Sequence, residues 1–210
     1  MLKTLALLLL LLAKPVRQSP DNFSVLAKDW ATYVGTPDNV PGAAQVNFPV
    51  LDGTPYNSLN YYVTPHAGTI SGSLSTTFTL TNTGAPVYVY SFPWESNPCV
   101  FPAHVRLWFA RTGWEKGSRP SYRWWSNPSA YTLVAAGNTV TLTVALNPAL
   151  WSDVNGQFGN AIPSDFAAAL NDVSSIGFSF GGGCFFGHGV AVQAGTGTST
   201  FTVNEYKVVR

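Results

Sequence analysis

Charge is scarce in this chain. Eleven Lys and Arg face ten Asp and Glu among 210 residues, 10% of the total, leaving a formal net charge of +1. No basic cluster stands anywhere along it, so nucleic acid is excluded as a partner, because that binding rests on phosphate neutralisation by Lys and Arg. An anionic membrane surface is excluded on the same ground. Solubility falls instead to Ser, Thr, Asn and Gly, a common solution in secreted β proteins. Histidine is nearly absent: His66, His104 and His188 have no close metal-ligand spacing. Long apolar runs are missing too. The run Leu5 to Ala13 is far short of the roughly 20 residues of a membrane span. Opened by Met1-Leu-Lys3 and closed by Lys14, Pro15 and Arg17, it reads as a secretory signal within residues 1–18. An uncleaved anchor or a mis-assigned start codon is the alternative. No Cys follows the apolar core, which removes a lipoprotein anchor. The expected location is therefore secreted, periplasmic or cell-surface, with no membrane insertion after signal removal. A phosphate-cradling glycine loop with its Lys, a serine elbow and a helical zinc motif are all absent.

Cysteine is limited to Cys99 and Cys184. In an exported protein an even count predicts a disulfide, and closing so long a loop contributes on the order of 4 kcal/mol in the chain-entropy model, less strain. Two buried thiols acting as small hydrophobes are the alternative.

What the chain does have is period-2 hydrophobicity. Residues 19–68, broken by Pro37, Pro41, Pro49 and Pro55, read as an irregular segment packed on the core, with short strands near Gln45 to Phe48 and Leu59 to Val63. Residues 69–210 carry the order. Ile70, Leu74, Phe78 and Leu80 share one parity of a half-buried strand. Val87 to Phe92, apolar on both faces, predicts a central strand. Val105, Leu107 and Phe109 point one way, His104, Arg106 and Trp108 the other. Val140, Leu142, Val144 and Leu146 alternate with threonines, and Ile176, Phe178 and Phe180 with small residues. Phe166, Leu170 and Val173 predict one short helix, with Ser164 as its cap. Short strands with turns between them predict an all-β, antiparallel two-sheet sandwich, a jelly roll with one short helix.

Several groups carry candidate chemistry. His104, Arg106 and Trp108 share a strand face, and together they suit a sugar: a flat ring for a pyranose C–H face, a fork of fixed donors for vicinal hydroxyls, one adjustable donor or acceptor. Arg123 and the pair Trp124-Trp125 extend that surface, although parity admits one of those tryptophans. Burial of these tryptophans beneath the N-terminal segment is the alternative. A second candidate rim is the glycine platform Gly181 to Gly183, where the backbone is laid open, with His188 beside it; a hydrogen-bonded structural histidine competes with that reading. A Cys184–His188 nucleophile pair requires a free thiol, which export disfavours. Asp153 and Asn155 before Gly156 resemble the start of a calcium loop without its later acidic ligand, and an Asx-type turn is the plainer reading. For a glycosidase, which needs two facing carboxylates, Glu95 and Glu115 beside Trp94 and Trp114 are the best pair available.

From Tyr122 to Val209 the chain resembles galactose-binding-domain-like jelly rolls, a group that includes many carbohydrate-binding modules of exported bacterial proteins. The likeness is carried by Arg123-Trp124-Trp125, Thr139 to Leu146 followed by Trp151-Ser152, Phe166 to Leu170, Ile176 to Gly181 and Phe201 to Tyr206. It implies glycan binding on loops or a sheet face without catalytic residues, no cofactor, and a structural calcium between first and last strands, near Asn204 and Glu205. The expected function is exported, non-catalytic binding of a polysaccharide or other glycan. A small glycoside hydrolase or lyase using Glu95 and Glu115, and a structural or adhesive surface protein, are the rivals.

Overall fold

The computed structural model describes residues 16–18, 22–26, 44–51, 58–90, 102–114, 119–183 and 186–210. The fold is an all-β sandwich with one short helix. Strands are numbered along the chain. The first sheet joins β1 (Val16–Gln18), β3 (Gln45–Asn47), β6 (Ser73–Gly84), β11 (Thr139–Ala145) and β15 (Gly197–Val209). Its order is β1-β15-β6-β11, with β3 pairing another stretch of β15. The second joins β2 (Ser24–Leu26), β5 (Tyr61–Gly68), β8 (His104–Arg111), β9 (Arg123–Ser126), β10 (Tyr131–Thr132), β12 (Trp151–Ser152) and β13 (Val173–Gly181). Here the order is β12-β9-β8-β13-β5-β2, and β10 pairs β8. A small third sheet, β4-β14-β7, holds β4 (Val50–Leu51), β14 (Val190–Gln193) and β7 (Tyr88–Tyr90).

Alternation decides which side chains enter the sandwich. Leu74, Phe78 and Leu80 of β6 and Phe201, Val203, Tyr206 and Val208 of β15 form the core with Val105, Leu107 and Phe109 of β8 and Ile176, Phe178 and Phe180 of β13. The jump from Val203 to Tyr206 breaks strict period 2. A bulge between Val203 and Glu205 accounts for it, since one extra residue reverses the parity downstream. Tyr206 thereby turns inward and its hydroxyl donates to the Gly177 carbonyl at 3.1 Å. Glu205 turns outward, between Arg17 at 3.0 Å and Lys207 at 2.8 Å.

Phe178 is the centre of the core. Its ring lies 5.8 Å from Phe23, 6.0 Å from Phe78, 4.9 Å from Phe201 and 5.3 Å from Tyr206. Rings at these separations add edge and tilted contacts to plain area burial.

Four expectations change. Val16–Gln18, assigned by sequence to the export segment, pair with Tyr206–Val208 as an edge strand. The stretch at Val87 is not central among the described residues: there β7 pairs with β14 alone, at the edge of the small sheet, and Val87 is 46% exposed. The helix α1 spans Pro163–Asn171 with Ile162, not Ser164, at its N-cap, because the fixed φ of Pro163 suits the first helical position. Gly181 and Gly182 are buried instead of laid open. The segment read as irregular supplies β2 to β5, and Phe23, Val46, Phe48, Leu59 and Tyr62 enter the core. Two of these strands, β3 and β5, stand where short ones were expected, and β5 runs on to Gly68; residues 61–64 are all buried, so no alternation marks its length. Residues 1–15, Cys99, Cys184, Glu95 and Glu115 lie outside the described residues.

Phe178→Ala removes the ring on which four others converge. The expected loss is about 3–5 kcal/mol of folding free energy, read as a lowered urea midpoint with native circular dichroism retained at zero denaturant.

Candidate functional site

The side chains of β8 that do not enter the sandwich are His104, Arg106, Trp108 and Ala110. Register brings the neighbouring strands into line with them. Trp108 faces Trp125 and Ala110 faces Arg123 across β9. Trp124 therefore points inward, stacked 6.4 Å from Phe109 and edge-on to Phe166. On the other flank, Gly181, Ser179 and Gly177 of β13 face His104, Arg106 and Trp108, and Tyr61 and Val63 of β5 face Ser179 and Gly177.

The small residues of β13 leave a shallow trough between β5 and β8. Tyr61 and Trp108 close over it, ring centroids 5.2 Å apart, and Trp114 packs edge-on to Trp108 at 5.4 Å. A second apolar layer results, made of Tyr61, Val63, Trp108, Ala110, Trp114 and Trp125, with Tyr122, Val154 and Phe186 partly exposed at its margin. All five tryptophans among the described residues are buried, Trp108 completely and Trp125 to 4% exposure. The open stacking face expected from sequence is thus a closed layer. Tyr61, Trp114, Ser179 and Phe186 belong to it and were not singled out from sequence; Ser179, small and lying between Phe178 and Phe180, is the one whose parity signalled it.

Arg106 is embedded in this layer at 5% exposure. Its Nη1 donates to the Ser126 carbonyl at 3.0 Å and the Pro128 carbonyl at 3.4 Å, and its guanidinium lies 3.9 Å from the centre of the Phe186 ring. Burial pushes its pKa down to about 10, so it remains a cation at neutral pH. Nε has no hydrogen-bond partner. The same holds for Nε1 of Trp108, Trp114 and Trp125, Oγ of Ser179 and Nδ1 of His104. Buried polar groups are normally paired, and these orphans share one face of one sheet. Burial, then the nearby Arg106 charge, lowers the His104 pKa.

The second candidate rim lies in the turn before β14. Asn60 donates through Nδ2 to the Gly187 carbonyl at 3.1 Å. A Cβ on Gly187 would meet the Tyr61 hydroxyl; one on Gly189, whose φ is +97°, would meet Ser58 Oγ. The chain closes against the Ser58–Tyr61 stretch because glycine stands at both positions. His188, held between them, has its pKa pushed down to about 4 by burial. Margins elsewhere are charged: Arg111 and Arg119 lie 4.7 and 5.0 Å from the Tyr122 ring centre, and Arg111 pairs with Asp172 at 3.3 Å.

Among the described residues no group of three or more His, Cys, Asp or Glu could hold a metal ion. Asp153 Oδ1 accepts from the backbone N–H of Asn155 and of Gln157, both at 2.9 Å, in an Asx-type turn. Asn204 Oδ1 accepts from Thr79. No helix among the described residues is long and apolar enough to cross a membrane.

Neither a protein-family model nor a curated protein sequence matches this chain. A solved structure described as "Prominent members of the human gut microbiota express endo-acting O-glycanases to initiate mucin breakdown" is similar over 89% of this chain and 91% of that one, at 12% identity and a TM-score of 0.44. A likeness at that level carries neither fold nor function across.

His188 generates a pH dependence. Its folded pKa of about 4 lies below the ordinary 6.5, so between these values the unfolded chain takes up a proton that the folded chain refuses. The contribution of this histidine is therefore constant above pH 7 and falls as pH drops from 6.5 toward 4, by at most about 1.4 kcal/mol per pH unit. His66 and His104 shift in the same direction. Urea midpoints at pH 7.5 and pH 4.5 should differ, and His188→Asn should reduce that difference.

Proposed function

We propose that this chain is an exported, non-catalytic carbohydrate-binding β-sandwich, with its contact surface on the outer side of β8 and β9. One observation carries the reading. A layer of aromatic rings on that side contains Arg106 Nε, His104 Nδ1, Ser179 Oγ and tryptophan Nε1 groups that have no hydrogen-bond partner. A saccharide supplies both complements, C–H faces for rings and oxygen atoms for donors. The partly buried Phe186 ring at the margin gives the sugar its first apolar contact. His104, Arg106 and Trp108 lie behind it, Arg123 and Trp125 continue the layer across β9, and His188 stands on the glycine turn. Trp124 belongs to the sandwich core and takes no part.

Titration of the purified protein with a panel of soluble glycans, followed by tryptophan fluorescence, tests the reading. A saturable change is expected for at least one glycan, with no reducing ends released. His104→Ala and Phe186→Ala should each weaken it about tenfold. The structural or adhesive reading is the second, and the enclosure of every described tryptophan favours it. Silence across the whole panel would establish that second reading.

A further inference from the structure

We infer that the ligand of this face carries a carboxylate, as a sugar acid does, and that the Nε edge of Arg106 receives it. The inference rests on the glycan-binding reading above and narrows it to acidic glycans.

The argument begins with charge. Arg106 is a cation at neutral pH, nine-tenths or more enclosed, and it has no ion pair among the described residues. Two backbone carbonyls and one aromatic face surround it. Dipoles and a π face stabilise a guanidinium only in part, and an enclosed charge without a counter-ion is strongly unfavourable. The missing counter-charge is the first property required of a ligand.

Geometry supplies the second. Carbonyl oxygens occupy Nη1, so the unpaired side of the planar fork is the buried one bearing Nε. A guanidinium edge holds a carboxylate through two parallel N–H···O bonds, planar group to planar group. Ser179 stands directly across the strand pair from Arg106, and its unpartnered Oγ can donate a further bond to the same acid. The neighbouring orphans on Trp108 and Trp125 are indole N–H groups, which donate and never accept. A site whose unused groups include three obligate donors, Arg106 Nε and Nε1 of Trp108 and Trp125, asks for an acceptor-rich anion more than for a neutral hydroxyl. Arg119, 5.0 Å from the centre of the Tyr122 ring, adds positive charge at the layer's margin.

The test uses the intact protein and three carboxylated polysaccharides, polygalacturonate, alginate and hyaluronate, each beside its carboxyl-reduced counterpart, with dextran and dextran sulfate alongside. The expected result is binding of at least one carboxylated polymer at least tenfold tighter than its reduced form, weakened by added salt. Arg106→Gln should abolish that preference. Arg106→Lys keeps the charge but lacks the Nε donor and should recover it only in part. Ser179→Ala, which removes one oxygen and leaves the guanidinium in place, should weaken binding severalfold and serves if the glutamine variant does not fold. Equal affinity for carboxylated and reduced polymers would overturn the inference while leaving glycan binding intact. Binding of dextran sulfate with indifference to carboxylates would overturn the carboxylate assignment. Undiminished carboxylate preference in both Arg106→Lys and Ser179→Ala would remove the acid from this site. Failure to bind any polymer, neutral or acidic, would overturn the glycan reading and the inference together.

Discussion

The structure depends on the two unlike faces of β13. Inward it presents Ile176, Phe178 and Phe180, and outward Gly177, Ser179 and Gly181. The large face knits the two sheets together through the cluster around Phe178. The small face is equally constraining. A Cβ at Gly177 would lie 2.5 Å from the Tyr62 carbonyl oxygen, so the approach of β5 requires glycine there. Over that low ridge Tyr61 and Trp108 meet. A slip of one residue in register would exchange the faces, placing serine and glycine in the core and phenylalanine beneath the indoles. Sandwich and outer layer are therefore fixed by one alternation, and neither forms with the strand reversed.

This dependence explains what was legible in the sequence. Strict alternation over β8, β11 and β13 announced those strands and their inward residues, because period 2 is a local property. It also placed His104, Arg106 and Trp108 on one face and allowed only one of Trp124 and Trp125 beside them. Features set by distant chain were not legible. The bulge near Asn204 shifts parity without any marker in composition, and the edge position of β7 follows from a pairing with β14 a hundred residues away. Closure of the outer face is of the same kind. Whether Trp108 is a platform or a buried ring depends on Tyr61 arriving from β5 and on the turn after β8 bringing Trp114 back against it, neither of which the alternation around Trp108 discloses.

Polar satisfaction separates the two layers more sharply than hydrophobicity does. In the sandwich core, Tyr206 has its carbonyl acceptor on Gly177, Trp151 donates to Ala145 and Trp124 to Ser121. Indoles and a phenol are well placed in a core when their donors are met. On the outer layer Trp108, Trp114 and Trp125 bury indoles with the donor unmet. The same residue type is thus complete on one side of the sheet and incomplete on the other. An incomplete polar set in a low-dielectric layer is costly, and it lowers stability without adding any contact that holds the sheets together.

Arg106 concentrates that imbalance. An apolar side chain of similar length at this position would seal the layer beside Phe186 and leave no charge to solvate, a replacement that is often neutral or stabilising for buried ionic groups. The folded state with arginine is therefore less stable than its scaffold allows. Anything that binds the folded chain and completes the donor set offsets the deficit, and the stabilisation grows with the logarithm of ligand concentration over Kd. Affinity for any ligand that engages this guanidinium and stability of the sandwich would then be coupled through it. A ligand that meets the charge should raise the thermal midpoint, whereas one that merely stacks on the margin leaves the deficit in place.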